Sequence, residues 1–211
     1  MKRNFEILAE AERQMRAASK VLDLGSGNNP YHLATHAVDK FIEPEQRTLG
    51  DGERIDEKTF ERKGITFAQA DIEDTPFADK EFDFAISSHV FEHVVDPARA
   101  CQEMMRVAKA GLIVTPFIFT DVMFGRPYHN WFVFTSNDGI HFLEKSPPLD
   151  RPFGAGPNIF DRILNQGNWN NENLCPQLSV QLNSMWNSRS EVVEVAFIWE
   201  GSFDFHVHRT N

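Results

Sequence analysis

The stretch Lys20–Pro30, KVLDLGSGNNP, constrains the fold of this chain more than any other. Its apolar run, Val21–Leu24, is typical of a strand buried on both faces of a parallel sheet. The run contains an acid, Asp23, and is followed by the Gly-Ser-Gly sequence of residues 25–27. A buried acid is costly unless something pairs with it, and paired glycines let the backbone turn sharply and approach a ligand closely. The stretch therefore predicts a ligand loop at the carboxyl end of a parallel strand, where open α/β sheets bind their ligands.

Polar residues end three further predicted strands. Short runs at residues 37–39, 65–70, 82–87 and 112–114 predict the second to fifth strands. The polar strand ends are Asp23, Asp39, Asp71 and Ser87. Because the carboxyl ends of parallel strands meet at one edge of a sheet, these four residues predict a shared ligand crevice. One such acid alone is more often a helix cap or a turn residue, but four in register favour a ligand site.

The order of these features resembles that of class I S-adenosylmethionine (SAM)-dependent methyltransferases with a methyltransferase type 11-like domain. The pattern Asp23-x-Gly25-x-Gly27 is similar to motif I of that family, and residues 67–97 and 106–116 are similar to motifs III to VI. The resemblance covers about residues 20–116. It implies methyl transfer with SAM as the cofactor and S-adenosyl-L-homocysteine as the product.

The resemblance also implies which residues hold the cofactor. The methionine end of SAM would contact Asp23, Gly25, Ser26, Gly27, Ser87 and Ser88. The ribose hydroxyls would bind Asp39, and the adenine would lie beside Asp71 and Ile72.

Two alternatives stay open. Asn29 stands where a dinucleotide fingerprint has its third glycine, and Asp39 comes sooner than the spacing of roughly 20 residues in that fingerprint. Both features disfavour a nicotinamide-dependent oxidoreductase. A SAM-binding module without turnover is the second alternative.

Residues 30–37 leave little room for the long first helix of a doubly wound fold, so we expect only a turn there.

The chain after residue 116 departs from simple alternation of strands and helices. Aromatic runs at residues 131–135 and 140–143 flank Asn137-Asp138-Gly139, which predicts a β-hairpin inserted after the fifth strand. A similar hairpin insertion occurs in some bacterial members of the family. The segments 191–199 and 202–208 predict a closing antiparallel pair of strands.

The predicted fold is therefore α/β: a Rossmann-like, seven-stranded mixed sheet with a C-terminal antiparallel strand pair and an inserted β-hairpin. We expect a single domain. Its core would span residues 20–116, a substrate or lid insertion about 117–190, and the closing strands about 191–208.

Capping residues and helical spacing predict the helices. They are residues 5–18 capped by Asn4, residues 88–95, a helix that begins at Pro97 and is closed by Gly111, residues 158–164, and part of 178–186. Residues 43–63 are expected to be irregular, and the Pro/Gly-rich residues 147–157 predict a loop.

Histidines are the candidate catalytic residues. Methyl transfer is an in-line displacement in which the enzyme mainly aligns donor and acceptor, but an oxygen acceptor also needs a base with a pKa near neutrality. The candidate bases are His89, after the fourth strand, and His129, before the hairpin. His93 is a weaker candidate. His129 and Trp131 are expected to face the acceptor, a small molecule or a glycan that is methylated on oxygen.

Composition limits the partners. The net charge of −10, without a basic block, disfavours DNA or RNA, because phosphate binding needs clustered Lys and Arg. No apolar run approaches the roughly 20 residues of a membrane span, and acids near the start disfavour a signal peptide, so we expect a cytoplasmic protein without a membrane partner. Cys101 and Cys175 form no metal or disulfide framework, and no metal site is predicted. The oligomeric state stays open.

Overall fold

A computed structural model describes residues 3–46, 54–118, 120–121, 128–145 and 193–209. The strands are β1 Val21–Leu24, β2 His36–Asp39, β3 Thr66–Gln69, β4 Phe82–Ser88, β5 Ala108–Pro116, β6 Trp131–Ser136, β7 Gly139–Glu144, β8 Glu194–Glu200 and β9 Phe205–His208. The α-helices are α1 Asn4–Ala17, α2 Glu57–Arg62 and α3 Pro97–Val107, and a 3₁₀ turn spans Pro44–Gln46.

The main sheet has the strand order β3-β2-β1-β4-β5-β8. Its first five strands are parallel, and β8 pairs antiparallel with β5 at one edge. The prediction of an α/β, Rossmann-like fold with a mixed sheet is therefore confirmed, and β1 to β5 lie where the sequence pattern predicts them. The carboxyl ends of the parallel strands share one edge of this sheet.

The two faces of the sheet are covered differently. Helix α1 covers one face through Ala11 and Met15, which pack in a core cluster with Val21 and Phe84. Helix α3 covers the other face, in a larger cluster that also holds aromatic residues of a second sheet. The alternation of side chains along a strand explains the division, since neighbouring residues of β1 belong to opposite clusters.

Three helix predictions need correction. Asn4 is the first residue of α1 rather than its cap, and its side-chain amide donates to the Glu194 carbonyl at 2.8 Å. Helix α3 ends at Val107, and Gly111 lies inside β5 instead of closing the helix. An added Cβ at Gly111 would lie 2.8 Å from Trp199 Nε1, so this glycine permits close packing of β5 against β8. Residues 57–62, within a stretch expected to be irregular, form α2, which Asp56 caps.

The segment after β4 forms turns rather than the predicted helix. His89 has a φ of +58°, in the left-handed region that interrupts a right-handed helix. Its N–H donates to the Val114 carbonyl at 2.8 Å, which extends the contact between β4 and β5 beyond their last paired residues. The segment therefore leaves the sheet as an irregular loop at the carboxyl edge.

A second, three-stranded sheet has the order β6-β7-β9. Strands β6 and β7 pair antiparallel on either side of the turn that the sequence predicts. The predicted closing pair is wrong, because β9 leaves β8 after Gly201 and pairs parallel with β7. The count of seven strands in one sheet is also not confirmed, since the described residues form six strands in the main sheet and three in the second.

Several predictions lie outside the described residues. They are the loop at 147–157, the helices at 158–164 and 178–186, and most of the insertion at 117–190. Within the described ranges, no helix has the length and apolar character needed to cross a membrane.

Candidate functional site

The loop between β1 and β2 is held against the end of β2 by backbone hydrogen bonds. The N–H groups of Gly25 and Ser26 both donate to the Val38 carbonyl, at 2.8 and 3.1 Å. Gly25 and Gly27 have φ angles of +81° and +56°, which glycine adopts without the steric cost that a side chain adds. The loop therefore follows a path that the glycines at these two positions make possible.

The two glycines differ in what surrounds them. A Cβ added to Gly25 would lie 2.4 Å from Cγ2 of Val90, in the loop after β4. A Cβ added to Gly27 would meet no heavy atom within 4 Å among the described residues. Gly25 therefore serves internal packing, whereas the space beside Gly27 is open to a ligand.

Asp23 is buried at the end of β1. Its Oδ2 accepts the N–H of Tyr31 at 2.7 Å. Burial raises the pKa of Asp23; the Tyr31 N–H opposes this, the negative Asp39 adds to it, and the resulting pKa is about 6. A cation beside Asp23 would be stabilised by the ionised form of this carboxyl group.

Asp39 closes β2 and fixes the loop. Its Oδ2 accepts the N–H of Gly27 at 2.8 Å, and its Oδ1 accepts the N–H of Phe41 at 2.9 Å. Each carboxylate oxygen retains a second acceptor position. Asp39 is therefore held in place by backbone groups and can still accept hydroxyl donors from a ligand.

Asp71 and Ile72 follow β3 but differ in exposure. Asp71 Oδ2 pairs with Lys40 Nζ at 2.6 Å, and Oδ1 accepts the Glu73 N–H at 3.1 Å. Burial would raise the pKa of Asp71, but the Lys40 ammonium and the Glu73 N–H outweigh it, so the pKa lies below its usual value. Ile72 is buried in the core beneath the sheet edge. Contacts of either residue with adenine stay a prediction.

Ser87 and Ser88 end β4. The Ser87 hydroxyl is fully buried and donates to the Leu24 carbonyl at 2.8 Å, which ties the end of β4 to the end of β1. Ser88 is half-buried and lies opposite Val114 in the pairing of β4 with β5. The Ser87 side chain is thus already engaged within the sheet.

His89 lies between two acids. Its Nε2 is 3.0 Å from Glu194 Oε1, and its Nδ1 is 3.6 Å from Glu92 Oε1. Burial lowers the pKa of His89, but the two carboxylates outweigh burial and raise it to about 9. The ring is then protonated at neutral pH and lacks the lone pair that a base needs, which argues against the base role predicted for it.

His129 is buried in a group that we call the histidine cluster: Glu92, His93, Asp121 and His129. Its Nδ1 lies 2.8 Å from Asp121 Oδ1, and its ring meets that of His93 edge to face at a centroid distance of 4.7 Å. Trp131 is also buried, with its indole N–H donating to the Val94 carbonyl at 2.8 Å. Neither side chain faces solvent as expected for an open acceptor cleft, and the role of His129 as a base stays a prediction.

His93 has a different electrostatic setting from His89. Burial lowers the pKa of His93, and this effect outweighs the attraction of Glu92, so the ring is neutral at neutral pH. Its Nδ1 lies 3.2 Å from the Tyr128 carbonyl. Sequence reasoning gave His93 little weight and missed Asp121 and Glu194, because only the tertiary fold brings these residues to the others.

The structure thus brings the predicted residues together in two places. Asp23, the Gly25–Gly27 loop and Asp39 form one compact unit, which we call the glycine-loop site. His89 lies on the loop after β4, which connects the two places. Val90 of this loop packs against Gly25 of the glycine-loop site, and Glu92 and His93 of the same loop belong to the histidine cluster. The two carboxylates of the glycine-loop site suit a ligand that carries hydroxyls and positive charge.

Residues 22–115 match the protein family described as methyltransferase domain. An uncharacterised methyltransferase of Mycolicibacterium vanbaalenii is 35% identical over 109 residues, which are 50% of this chain and 41% of that protein. A chloroplastic 2-methyl-6-phytyl-1,4-hydroquinone methyltransferase of Oryza sativa is 34% identical over 96 residues, or 44% of this chain and 27% of that protein. The matches therefore span less than half the length of these two relatives.

Among solved structures, the YcgJ protein of Bacillus subtilis is similar to 58% of this chain, over 61% of its own length. The TM-score is 0.42 and the sequence identity 20%.

Proposed function

We propose that this chain is an enzyme that methylates a small-molecule acceptor, on the premise that its residues 22–115 belong to the class I SAM-dependent methyltransferases. The observation that carries the proposal is the glycine-loop site. Two buried acids there are oriented by backbone N–H groups, and the space beside Gly27 is open among the described residues.

The glycine-loop site fits the chemistry of SAM. The methionine part of SAM carries an ammonium and a sulfonium group, which an ionised Asp23 would stabilise, and its ribose offers two hydroxyls to Asp39. We assign the methionine end to Asp23, Gly25, Ser26, Gly27, Ser87 and Ser88, and the adenine to the neighbourhood of Asp71 and Ile72. Ser87 would contribute its backbone, because its hydroxyl is bonded to Leu24.

Asp23 disfavours a nicotinamide dinucleotide. Such a cofactor places a pyrophosphate at the glycine loop, where the carboxylate of Asp23 would repel it, whereas an acid after the second strand, like Asp39, can serve the ribose of either cofactor. Asp39 also raises the pKa of Asp23, a sign that the two carboxyls already repel each other in the free protein.

The acceptor would lie over the carboxyl ends of β4 and β5. When bound, SAM supplies an activated methyl group, so the protein mainly has to align the two reactants and hold the proton that an acceptor hydroxyl loses. Protonated His89 suits the orientation of an acceptor oxygen by hydrogen bonding. His93 and His129 are the remaining candidates for receiving the proton.

A hydroxyl-bearing small molecule is the acceptor class that we favour, with methylation on oxygen. The hydroquinone methyltransferase of Oryza sativa among the relatives supports this acceptor class, because its name gives a hydroxylated aromatic substrate. Methylation on oxygen is the part of the proposal that the product assay tests. Small glycans are the second acceptor class to be tested.

Calorimetry and a product assay test the proposal in sequence. The chain should bind SAM and S-adenosylhomocysteine at one site and leave NAD unbound. Release of S-adenosylhomocysteine should then rise with a hydroquinone or another hydroxylated small molecule in an acceptor panel that includes small glycans. Binding of NAD in place of SAM would contradict the proposal and favour an oxidoreductase. SAM binding with no product across the panel would favour a binding module.

A further inference from the structure

Glu92 is a buried carboxylate whose oxygens are available for further partners. The residue is 1% exposed, and neither Oε1 nor Oε2 has a hydrogen-bond partner in the part of the chain that the structure describes. Its contact with His89 Nδ1 is 3.6 Å long, beyond hydrogen-bond distance. An ionised carboxylate in such a place is costly unless short contacts to a cation or to donors offset its desolvation.

Two histidines present ring nitrogens to this carboxylate. One ligand atom from each of Glu92, His93 and His129 lies within 4.8 Å of the other two. His93 Nε2 is 3.9 Å from Glu92 Oε1, while its Nδ1 is 3.2 Å from the Tyr128 carbonyl. His129 Nδ1 is 2.8 Å from Asp121 Oδ1, but neither atom makes a hydrogen bond among the described residues. In metal sites, an oxygen acceptor at one ring nitrogen holds the proton there and leaves the other nitrogen to bind the ion.

We propose that Glu92, His93 and His129 bind a divalent first-row transition-metal ion. The Tyr128 carbonyl orients His93 from behind, and Asp121 lies beside the ring of His129. Bonds of about 2.0–2.2 Å to a zinc ion place its ligand atoms about 3.5 Å apart. Small side-chain rotations close the present spacing of up to 4.8 Å to that value.

The donor set defines the class of ion. Two imidazoles and one carboxylate suit zinc, cobalt, iron or manganese, whereas magnesium and calcium prefer sites built from oxygen alone. Three protein ligands also leave one position open, as in catalytic zinc sites, while structural zinc sites use four.

Backbone hydrogen bonds fix the ligands relative to each other. The Glu92 carbonyl accepts the N–H groups of Asn130 and Trp131 at 2.8 and 3.2 Å. The Asn130 side-chain amide donates to the His93 carbonyl at 2.8 Å. The loop that carries Glu92 and His93 is therefore bonded to the segment directly after His129, so the three ligands come from two segments held in register.

The surrounding charges accommodate a cation. Glu92 and Asp121 are both buried and supply negative charge. Lys145 Nζ lies 3.7 Å from Asp121 Oδ2, whereas His129 lies beside the other oxygen, Oδ1. An ion at Glu92 displaces the long contact with His89, which retains Glu194 at 3.0 Å. His89 therefore remains paired in the metal-bound protein.

A use in catalysis rests on the proposed function, although ion binding itself does not. The open position of the ion would bind the acceptor oxygen and lower the pKa of its hydroxyl. The hydroxyl proton would then pass to solvent water, because His93 and His129 hold the ion and no longer receive it.

Metal titration of the full chain tests the inference. The protein is treated with a chelator, dialysed, and titrated with Zn²⁺ and Co²⁺ by calorimetry, with Mg²⁺ as the comparison ion. We expect one Zn²⁺ or Co²⁺ per chain, no Mg²⁺ binding, and visible Co²⁺ absorption from nitrogen and oxygen ligands. His93→Ala and Glu92→Gln should each weaken binding by roughly 100-fold or more, since loss of only an outer partner already costs about 10–100-fold.

The variants are chosen to fold. The His93 side chain is 37% exposed, so its truncation removes ring contacts with Tyr128 and His129 but leaves the hydrophobic core in place. Glutamine keeps the shape of Glu92. The matched control is His206→Ala in a second group, Asp138, His141 and His206, whose ligand atoms also lie within 4.8 Å of one another. This control should bind the ion as the wild type does.

Three results would overturn the inference: no stoichiometric Zn²⁺ or Co²⁺ binding by the folded wild type, unchanged binding in both His93→Ala and Glu92→Gln, or loss of the ion in His206→Ala alone. SAM binding is measured on the same samples. Ion binding without SAM binding contradicts the proposed function alone, and SAM binding without ion binding contradicts this inference alone.

Discussion

In the glycine-loop site, Asp23 and Asp39 accept backbone N–H groups at 2.7 to 2.9 Å. In the histidine cluster, at the same edge of the sheet, Glu92 is just as buried. Among the described residues, its oxygens meet only the rings of His89 and His93, at 3.6 and 3.9 Å. Backbone groups thus orient Asp23 and Asp39 before a ligand arrives. In the histidine cluster, by contrast, the side chains still have to move closer together to bind an ion.

This difference predicts separate tasks. Acceptors that are already oriented lose little free energy to reorganisation when a ligand with several donors binds. The glycine-loop site is therefore suited to SAM. Unsatisfied carboxylate and imidazole groups suit a small cation, which the histidine cluster can surround. Variants in one site should therefore leave the ligand of the other site bound.

The largest effect is expected for Asp39→Ala. Hydrogen bonds to a charged group contribute roughly 1.5–3 kcal/mol, so losing the ribose acceptor should weaken SAM binding roughly 10- to 150-fold. Calorimetry measures the change, and Asp39→Asn, which keeps one acceptor oxygen, should lose less.

Two controls sharpen this test. Asp83→Ala removes a carboxylate that accepts the Ser19 and Lys20 N–H groups before β1, so it should lower the melting temperature without changing SAM affinity. His93→Ala, in the histidine cluster, should leave SAM affinity within about threefold, ~0.65 kcal/mol. Unchanged SAM affinity in a folded Asp39→Ala protein would remove the ribose assignment.

The glycine-loop site was accessible to sequence reasoning because its parts are close along the chain. Sixteen positions separate Asp23 from Asp39, and a buried strand followed by glycines carries its own geometric constraint. The sequence does not show which distant residues pack against each residue in the folded chain. Val90 packs against Gly25, and nothing near Gly25 in the chain indicates this contact.

The histidine cluster could not be predicted for the same reason. His93 and His129 meet because the loop after β4 is hydrogen-bonded to the start of β6, a long-range pairing. The path of β9 is a similar case. Its alternating residues predict a strand, but alternation does not select the neighbour. Strand β9 pairs with β7, the middle strand of the second sheet, instead of with β8.

The second prediction concerns pH and Asp23. Because its pKa is about 6 in the free protein, the ionised form that binds a cationic ligand becomes dominant as the pH rises through that value. SAM affinity should therefore rise about tenfold between about pH 5 and about pH 7. Asp23→Asn should flatten this dependence, and an equally steep profile in that variant would assign it to another group.

The same pKa acts on the stability of the free protein with the opposite sign. The protonated carboxyl favours the folded state, so this contribution is complete below the ordinary pKa of 3.8 and is lost as the pH rises through about 6. Without SAM, wild-type protein should lose thermal stability relative to Asp23→Asn over this range. Thermal melts at several pH values across this range measure the difference in melting temperature between the two proteins. A difference that does not change with pH would contradict the assigned pKa.

A matched pair of glycine variants separates packing from ligand space. Gly25→Ala places its Cβ against Val90 at a positive φ, and overpacking with backbone strain costs about 2–3 kcal/mol, or roughly 4–12 °C in melting temperature. Gly27→Ala carries the strain alone, but its Cβ enters the proposed ligand space. It should lose SAM affinity roughly fivefold, ~1 kcal/mol. Adding Val90→Ala should recover much of the stability lost by Gly25→Ala, and a failure to do so would remove the packing explanation.

The smallest effect is expected for Ser87→Ala. The family resemblance places Ser87 beside the methionine end of SAM, but its hydroxyl donates to the Leu24 carbonyl and is fully buried. Loss of that hydrogen bond should cost about 1 kcal/mol of stability, a shift of roughly 2–4 °C. SAM affinity should change by less than about twofold, ~0.4 kcal/mol, because the contact to the ligand would come from the backbone. A clear loss of SAM affinity at unchanged stability would show that the hydroxyl turns toward the ligand on binding. The end of β4 would then resemble the histidine cluster, where side chains rearrange to meet a ligand, rather than the preoriented acids of β1 and β2.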